Sequence, residues 1–202
     1  MSGGRVSELE FVFSFRSPYA WIAARHILPM VHPDIRIRWT PFLPLPSFPN
    51  FDGSRMVPAK VRHNLRDILR LTEAYGLPVG RPPVDEPDWL LAHTAFLSAD
   101  RAGKGAEFGA ALLDERWVRS QVVSAPEAVA RIAAGVGLDS DETVSAASSP
   151  ALQTELTALV QRNFDEREIF GVPMFVLSSG ERFWGHDRME WALRYGFVKP
   201  AA

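Results

Sequence analysis

Sequence patterns typical of β-strands lie near the two ends of the chain, and about a hundred residues between them have helical patterns. Residues 9–15 are rich in Phe and Val, and residues 35–42 alternate apolar and basic side chains, as half-buried strands do. Strand signals return in VPMFVLSS and ERFWG, after residue 171. Because these separated segments bury their apolar faces best in one sheet, we predict an α/β fold: a mixed sheet from residues 1–45 and 167–202, with a helical domain inserted at residues 46–166.

The first predicted strand runs directly into a helix start. Ser17 and Pro18 give the preferred order of a capping side chain followed by proline in the first helical turn. Apolar residues continue at helical spacing to Met30, and His-Pro-Asp at 32–34 ends the segment. A strand, a helix and a strand in this order predict a crossover unit with parallel strands.

The middle of the chain opens with a proline-rich connector, PFLPLPSFPN, which is too interrupted for a helix or a central strand. Apolar residues then recur at helical spacing between Val61 and Tyr75, which predicts an amphipathic helix. Further helical patterns lie around residues 88–102, 105–119, 126–135 and 150–166. The segment GVGLDSDE lacks the third glycine of a dinucleotide fingerprint and the downstream ligands of a calcium loop, so neither site is predicted there.

The chain has no cysteine, which excludes a thiolate nucleophile, a disulfide and a dithiol redox cycle formed by its own side chains. A thiol that takes part in its chemistry must therefore arrive with a ligand. None of the five histidines has a metal-ligand spacing, so no metal site is predicted. The net charge of -2 argues against nucleic acid or an anionic membrane as a partner, and the lack of a signal-peptide or membrane-spanning pattern predicts a cytoplasmic protein.

Three positions could bind a ligand, and each also has a simpler structural explanation. The hydroxyl of Ser17 could donate a hydrogen bond to a thiolate or oxyanion at the helix N-terminus, or it could only cap the helix; FRSPY lacks the glycines of a serine-hydrolase elbow. Pro173 could follow a cis bond that leaves the N–H and C=O of Val172 free for an extended ligand, or could simply begin a strand. Asp187 could hold an amine or cap the last helix.

Aromatic side chains cluster around the proline-rich connector. Trp39 and Phe42 are two of them, and Phe48, Phe51 and Trp89 lie nearby in the sequence. Such residues pack into a core more often than they line a pocket. Both alternatives stay open at this point.

Five segments of the chain, taken in order, carry a family resemblance: FVFSFRSPYAW, IRIRWTPF, VPAKVRHNLRDILRLTEAYGLP, IFGVPMFV and RFWGHDRMEWAL. Their most specific parts are S-P-Y after the first strand, G-V-P before the third strand and W-G-x-D-R before the last helix. Together they resemble the 2-hydroxychromene-2-carboxylate isomerase family, which is related to kappa-class glutathione transferases and to the DsbA-like thioredoxin fold. The resemblance extends over nearly the whole chain and implies a thioredoxin-like fold interrupted by a helical domain.

The resemblance also implies a glutathione cofactor and a role for each of the three candidate positions. In this family a serine takes the place of the first redox cysteine, so Ser17 would hydrogen-bond and activate the thiol of glutathione. Val172, with Pro173 in the cis form, would pair with the cysteinyl backbone of glutathione. Asp187, together with His186, would hold its γ-glutamyl end, although glutamine, alanine or asparagine is common at the position of His186.

Two further contacts with glutathione are expected from the resemblance. The family's asparagine that contacts glutathione corresponds to Asn50 or is replaced by Ser54. Lys60 is a candidate for a carboxylate contact, and an exposed lysine in the first turn of a helix is its simpler explanation.

On the substrate side, the resemblance implies an aromatic or hydrophobic carboxylate bound near Arg16, Tyr19, Trp39 and Phe42. Arg16 could aid ionisation of the thiol, bind the substrate carboxylate or point to solvent. The implied enzyme interconverts a hydroxychromene carboxylate and a benzylidenepyruvate-like or similar conjugated acid, and glutathione returns unchanged. A kappa-like glutathione transferase and a non-enzymatic scaffold that binds a partner along the edge at Pro173 are the alternatives, and a homodimer is left open.

Overall fold

A computed structural model describes residues 8–48, 57–83 and 89–192 of the chain. The first strand, β1 (Glu8–Phe13), leads into helix α1 (Pro18–Ile22), which continues as a wider π-helical turn (Ala23–Ile27) and a 3₁₀ turn (Leu28–Met30). The helical segment therefore ends at Met30, as the sequence predicts. Strand β2 (Arg36–Pro41) follows it.

The described part of the chain contains a mixed sheet of four strands in the order β2-β1-β3-β4, where β3 is Met174–Leu177 and β4 is Arg182–Trp184. Strands β1 and β2 are parallel, with Phe11 beside Trp39, which confirms the predicted crossover unit. Strand β3 is antiparallel to β1, and β4 is antiparallel to β3. The two ends of the chain thus build one sheet, and β1 lies inside it.

The described elements between β2 and β3 are all helical. They are α2 (Pro58–Ala74), α3 (Trp89–Arg101), α4 (Gly105–Trp117), α5 (Pro126–Gly135), α6 (Ser140–Ala147) and α7 (Pro150–Asp165). Five of these six helices match the helical patterns of the sequence, and α6 was not predicted. The division into an inserted domain at residues 46–166 and a second domain stays a prediction.

Helix α6 occupies the segment whose glycines and acidic residues resemble weak binding motifs. Gly137 adopts a φ of +81° just after α5. The side chain of Asp139 then caps α6 by accepting the backbone N–H of Glu142 at 2.8 Å. These residues end one helix and begin the next, which accounts for them without a ligand.

The main hydrophobic core joins the sheet to the helical segment. Phe13 of β1 packs edge-on against Trp39 of β2 and Phe96 of α3, with ring centroids 5.1 Å and 4.9 Å away. Phe42 is fully buried in a second cluster, where it stacks on Phe48. Both Trp39 and Phe42 therefore pack in the core, where their rings fill the space between sheet and helices. The expectation that they contact substrate stays a prediction.

Helix α2 turns a row of apolar side chains outward. Val57, Val61, Leu65 and Leu69 are between 38% and 63% exposed, and the buried side chains of α2 are Ile68 and Thr72. The helix itself agrees with the sequence pattern, but Val61, Leu65 and Leu69 face outward, while the apolar position Ile68 is buried.

A buried carboxylate links the sheet to the segment that follows α7. Glu10 of β1 is 3% exposed and accepts hydrogen bonds from the Thr40 hydroxyl at 2.7 Å and from Arg167 Nη1 at 3.0 Å. Arg167 Nη2 contacts its second oxygen, and Arg38 Nη2 lies 2.8 Å from the same atom. Burial raises the pKa of Glu10, but these partners outweigh it and hold that pKa below its usual value.

Candidate active site

Ser17 lies at the N-cap of α1, as the sequence predicts. Its hydroxyl oxygen accepts the backbone N–H of Ala20 at 3.2 Å, and its backbone N–H donates to the Ser14 carbonyl at 3.0 Å. Within the described part of the chain, no acceptor takes the hydroxyl proton of Ser17. The side chain therefore caps the helix and keeps one donor for a ligand.

A cavity of about 440 Å³ opens where α1, α2 and the turns around β3 and β4 meet. Tyr19, Val172, Pro173, His186 and Asp187 lie on its wall, so the structure brings five of the predicted site residues together. The volume is in the range of small-molecule sites. Ser17 is not part of this wall; it lies two residues before Tyr19 on the same helix start.

The peptide bond between Val172 and Pro173 is cis, as the sequence allowed. Pro173 donates no hydrogen bond, and its carbonyl accepts the N–H of Gly185 at 2.9 Å, which joins the two turns on the cavity wall. The backbone N–H and C=O of Val172 form no hydrogen bond with any residue in the described ranges. An extended peptide backbone can therefore pair with Val172.

The turn that precedes the last helical segment needs glycine at position 185. Gly185 has a φ of +115°, and a Cβ placed there would lie 2.6 Å from Oδ1 of Asp187. Asp187 in turn contacts Arg188, with Oδ2 and Nη1 3.0 Å apart and both side chains about half exposed. The turn thus presents a carboxylate and a guanidinium side by side at the cavity, an arrangement that complements an ammonium and a carboxylate on one ligand.

Tyr19 and Asp67 form another part of the wall. The Tyr19 hydroxyl donates to Oδ2 of Asp67 at 3.0 Å. Burial and this carboxylate raise the pKa of Tyr19 to about 12, so its hydroxyl stays protonated near neutral pH. Tyr19 is therefore a neutral wall residue whose hydroxyl proton is already committed to Asp67.

His186 lies largely buried between two tyrosines. Its ring stacks on Tyr19 with centroids 5.5 Å apart and meets Tyr75 edge-on at 6.4 Å. Its Nε2 atom is buried and has no hydrogen-bond partner. Burial lowers the pKa of His186, the carboxylates of Asp187 and Asp67 oppose that shift, and His26 adds to it. The imidazole is therefore a mostly neutral part of the wall.

A family model for the DsbA-like thioredoxin domain matches residues 8–195. The chain belongs to the DsbA-like thioredoxin family. Its mixed sheet with helices between β2 and β3 is thus the DsbA-like version of the thioredoxin fold. None of the curated proteins matches the sequence.

Solved structures with this fold include enzymes of two kinds. The structure of a 2-hydroxychromene-2-carboxylate isomerase is 19% identical, with a TM-score of 0.77 over 93% of both chains. A probable DsbA oxidoreductase from Streptomyces coelicolor is 18% identical, with a TM-score of 0.76 over 96% of this chain and 92% of that one. The cytosolic disulfide reductase DsbM from Pseudomonas aeruginosa, solved with GSH, is 17% identical, with a TM-score of 0.66 over 93% of this chain and 99% of that one. At these identities the likeness shows the fold.

Two of the predicted contact residues, Lys60 and Arg16, are not on the cavity wall of this DsbA-like fold. Lys60 is exposed in the first turn of α2 and is not on the cavity wall. Arg16 is exposed before α1, with its guanidinium 5.8 Å from the ring centroid of Trp89. Asn50, like its alternative Ser54, lies outside the described residues.

Sequence reasoning missed Asp67, Trp184 and Arg188, which also line the cavity. Arg188 is part of the W-G-x-D-R segment and could have been found from that motif. Asp67 lies on α2 next to buried Ile68, and no local signal shows which face of that helix meets the cavity.

Neither a metal-binding cluster nor a membrane-spanning helix is found within the described ranges. No group of three or more His, Cys, Asp or Glu side chains there could hold a metal ion. Of the helices in the same ranges, none is both long and apolar enough to cross a membrane.

Proposed function

We propose that this DsbA-like chain binds glutathione and uses its thiol as an isomerase of the 2-hydroxychromene-2-carboxylate type. The observation that carries the proposal is the hydroxyl of Ser17, which keeps its proton for a ligand at a helix start in a chain without cysteine. A redox dithiol cannot form from the chain's own residues, so thiol chemistry here needs a thiol from a ligand.

The residues on the cavity wall fit glutathione. Val172 has an unpaired backbone N–H and C=O for the cysteinyl backbone of the tripeptide. Asp187 and Arg188 offer opposite charges to the amine and carboxylate of the γ-glutamyl end. Asp67 adds a second carboxylate, and its interaction with Tyr19 fixes its direction.

Bound glutathione would supply a nucleophilic sulfur that adds to a conjugated acid and later leaves it. Ser17 would donate its hydroxyl hydrogen to that sulfur while its oxygen remains bound to the N–H of Ala20. Lowering a thiol pKa from about 8.5 to about 6.5 takes about 2.7 kcal/mol. A hydrogen bond to a charged group contributes about 1.5–3 kcal/mol, so the hydroxyl can supply most of this.

The proposal is tested by following the interconversion of a hydroxychromene carboxylate and its open-chain isomer with glutathione present in less than stoichiometric amount. Wild-type protein is expected to bring the two isomers to the same equilibrium ratio from either side, to convert more substrate molecules than there are glutathione molecules, and to leave the glutathione concentration unchanged. Ser17→Ala is expected to lower kcat/KM by about 10²-fold, since it removes a donor to charge.

Two controls separate the hydroxyl from the helix cap. Ser17→Thr keeps the hydroxyl and should retain most of the activity. Asp139→Ala removes the cap of α6, far along the chain from the cavity, and should leave the rate unchanged at a comparable loss of stability. Consumption of one glutathione per product would instead indicate a transferase, and no conversion of any conjugated acid would contradict the proposal.

A further inference from the structure

A buried histidine of α3 holds the loop that leads to Ser17. His93 has no exposed surface, and its Nδ1 lies 2.7 Å from the carbonyl oxygen of Trp89. Because a carbonyl only accepts, Nδ1 carries the ring hydrogen and Nε2 is an acceptor. Nε2 receives the backbone N–H of Phe15 at 3.3 Å and lies 3.2 Å from the hydroxyl of Ser14.

The helical segment holds both sides of the Phe15 residue. His93 of α3 accepts its N–H, and the indole N–H of Trp117 on α4 donates to its carbonyl at 3.2 Å. Ser14 continues the same network, since its carbonyl accepts the N–H of Ser17 at 3.0 Å. The backbone that places Ser17 is therefore fixed by two side chains that come from helices far along the chain.

We propose that His93 is a positioning residue of the Ser17 site: its imidazole fixes residues 14–17 so that the Ser17 hydroxyl meets the sulfur of a bound thiol. The inference rests on the function proposed above and adds how thiol activation is controlled. His93 is not on the cavity wall. It acts through Ser14 and Phe15, so a side chain of the helical segment fixes the geometry around Ser17.

Two substitutions of His93 separate its hydrogen bonds from its bulk. His93→Leu keeps much of the apolar contact but removes the acceptor for Phe15 and Ser14. His93→Gln places a carbonyl oxygen near the position of Nε2 and retains the acceptor. Thermal unfolding of both variants is measured first, to establish that they are folded. The glutamine variant keeps the test valid if the leucine variant unfolds.

The measurements are the dissociation constant of glutathione, the pKa of its bound thiol and kcat/KM at neutral pH. His93→Leu is expected to raise the bound-thiol pKa toward its free value and to lower kcat/KM by about 10- to 100-fold, because small displacements of a reacting group have effects of this size. The dissociation constant should change little, since Val172, Asp187 and Arg188 are untouched. His93→Gln should recover most of the wild-type pKa.

The decisive comparison is a double-mutant cycle with Ser17→Ala. If His93 acts through Ser17, His93→Leu has almost no further effect on the thiol pKa in the Ser17→Ala background; a purely structural role gives independent effects that add. Additive effects, or an unchanged thiol pKa in His93→Leu, overturn the inference while wild-type activation still supports the proposed function. If wild-type protein itself leaves the thiol pKa unchanged, the proposed function fails and this inference fails with it.

Discussion

Replacing Arg167 with leucine should destabilise the protein by about 3 kcal/mol. The substitution removes two contacts to the carboxylate of Glu10, which is 3% exposed in the sheet. Breaking a buried ion pair on one side typically costs about 3–5 kcal/mol, because the remaining charge stays buried. The expected value lies at the lower end, since Arg38 and Thr40 still contact Glu10.

The assay is urea and thermal unfolding followed by circular dichroism. For a chain of this size, a loss of about 3 kcal/mol lowers Tm by roughly 6–12 °C. Arg101→Leu is the matched control, because Arg101 and Glu155 form a pair in which both side chains are more than half exposed. That variant should lose less than about 1 kcal/mol. Equal losses of unfolding free energy in the two variants would show that burial of the ion pair does not set the size of the effect.

The pH dependence of the Arg167→Leu effect follows from Glu10. Its partners hold the pKa of Glu10 below the usual value of 4.5 in the folded protein. Its contribution to stability is therefore present above pH 4.5 and is lost as the pH falls through the lower, folded pKa. The difference between wild type and Arg167→Leu should narrow in acid, and a difference that grows there would contradict this explanation.

Three other predictions concern the residues around the cavity and the loop before Ser17. Burial is the main cause that lowers the pKa of His93 from 6.5 to about 4. Between pH 6.5 and pH 4, the free energy of unfolding of wild-type protein should therefore fall by on the order of 3 kcal/mol relative to that of His93→Gln. Urea unfolding at each pH measures this difference. Asp67→Asn should lower the pKa of Tyr19 only part of the way from about 12 toward 10, because burial of Tyr19 remains. Ultraviolet titration, with Tyr19→Phe as the reference, detects this change, and an unchanged pKa would contradict the interaction between Tyr19 and Asp67. Gly185→Ala and Gly180→Ala should both lower the unfolding midpoint, because both sites have positive φ. The loss should be slightly larger at Gly185, where the new Cβ would also displace the exposed carboxylate of Asp187; a smaller loss there would contradict this.

The sequence predicts the strands and most helices because their signals are local. Ser17 before Pro18 marks the helix start, and the Phe- and Val-rich run beside it marks β1. Helix α6 is harder to predict, because its capping signal, Asp139 three residues before Glu142, lies in a segment rich in glycine and acidic residues that is also typical of a ligand-binding loop.

Tertiary placement is where sequence reasoning fails. The apolar row of α2 at Val61, Leu65 and Leu69 predicts a helix correctly but not which face packs, since that depends on the neighbours the helix meets. For Trp39 the sequence leaves core packing and a pocket wall as alternatives, and the structure packs its ring against Phe11 and Phe13.

Part of the cavity wall is predictable from the sequence, because some of its residues lie in local motifs. Val172, Pro173 and Asp187 lie in short motifs whose spacing the family resemblance recognises. Asp67 on the cavity wall and His93 beside Ser14 are single side chains on helices that only the fold brings near residues 14–19.

Activation of the glutathione thiol by Ser17 is measured by the ultraviolet absorbance of the thiolate, titrated against pH with wild-type protein and with Ser17→Ala. We expect wild-type protein to lower the thiol pKa from about 8.5 to about 6.5 and Ser17→Ala to restore most of the difference. If wild-type protein neither binds glutathione nor changes the pKa of its thiol, Ser17 is only the cap of α1 and the proposed function is wrong.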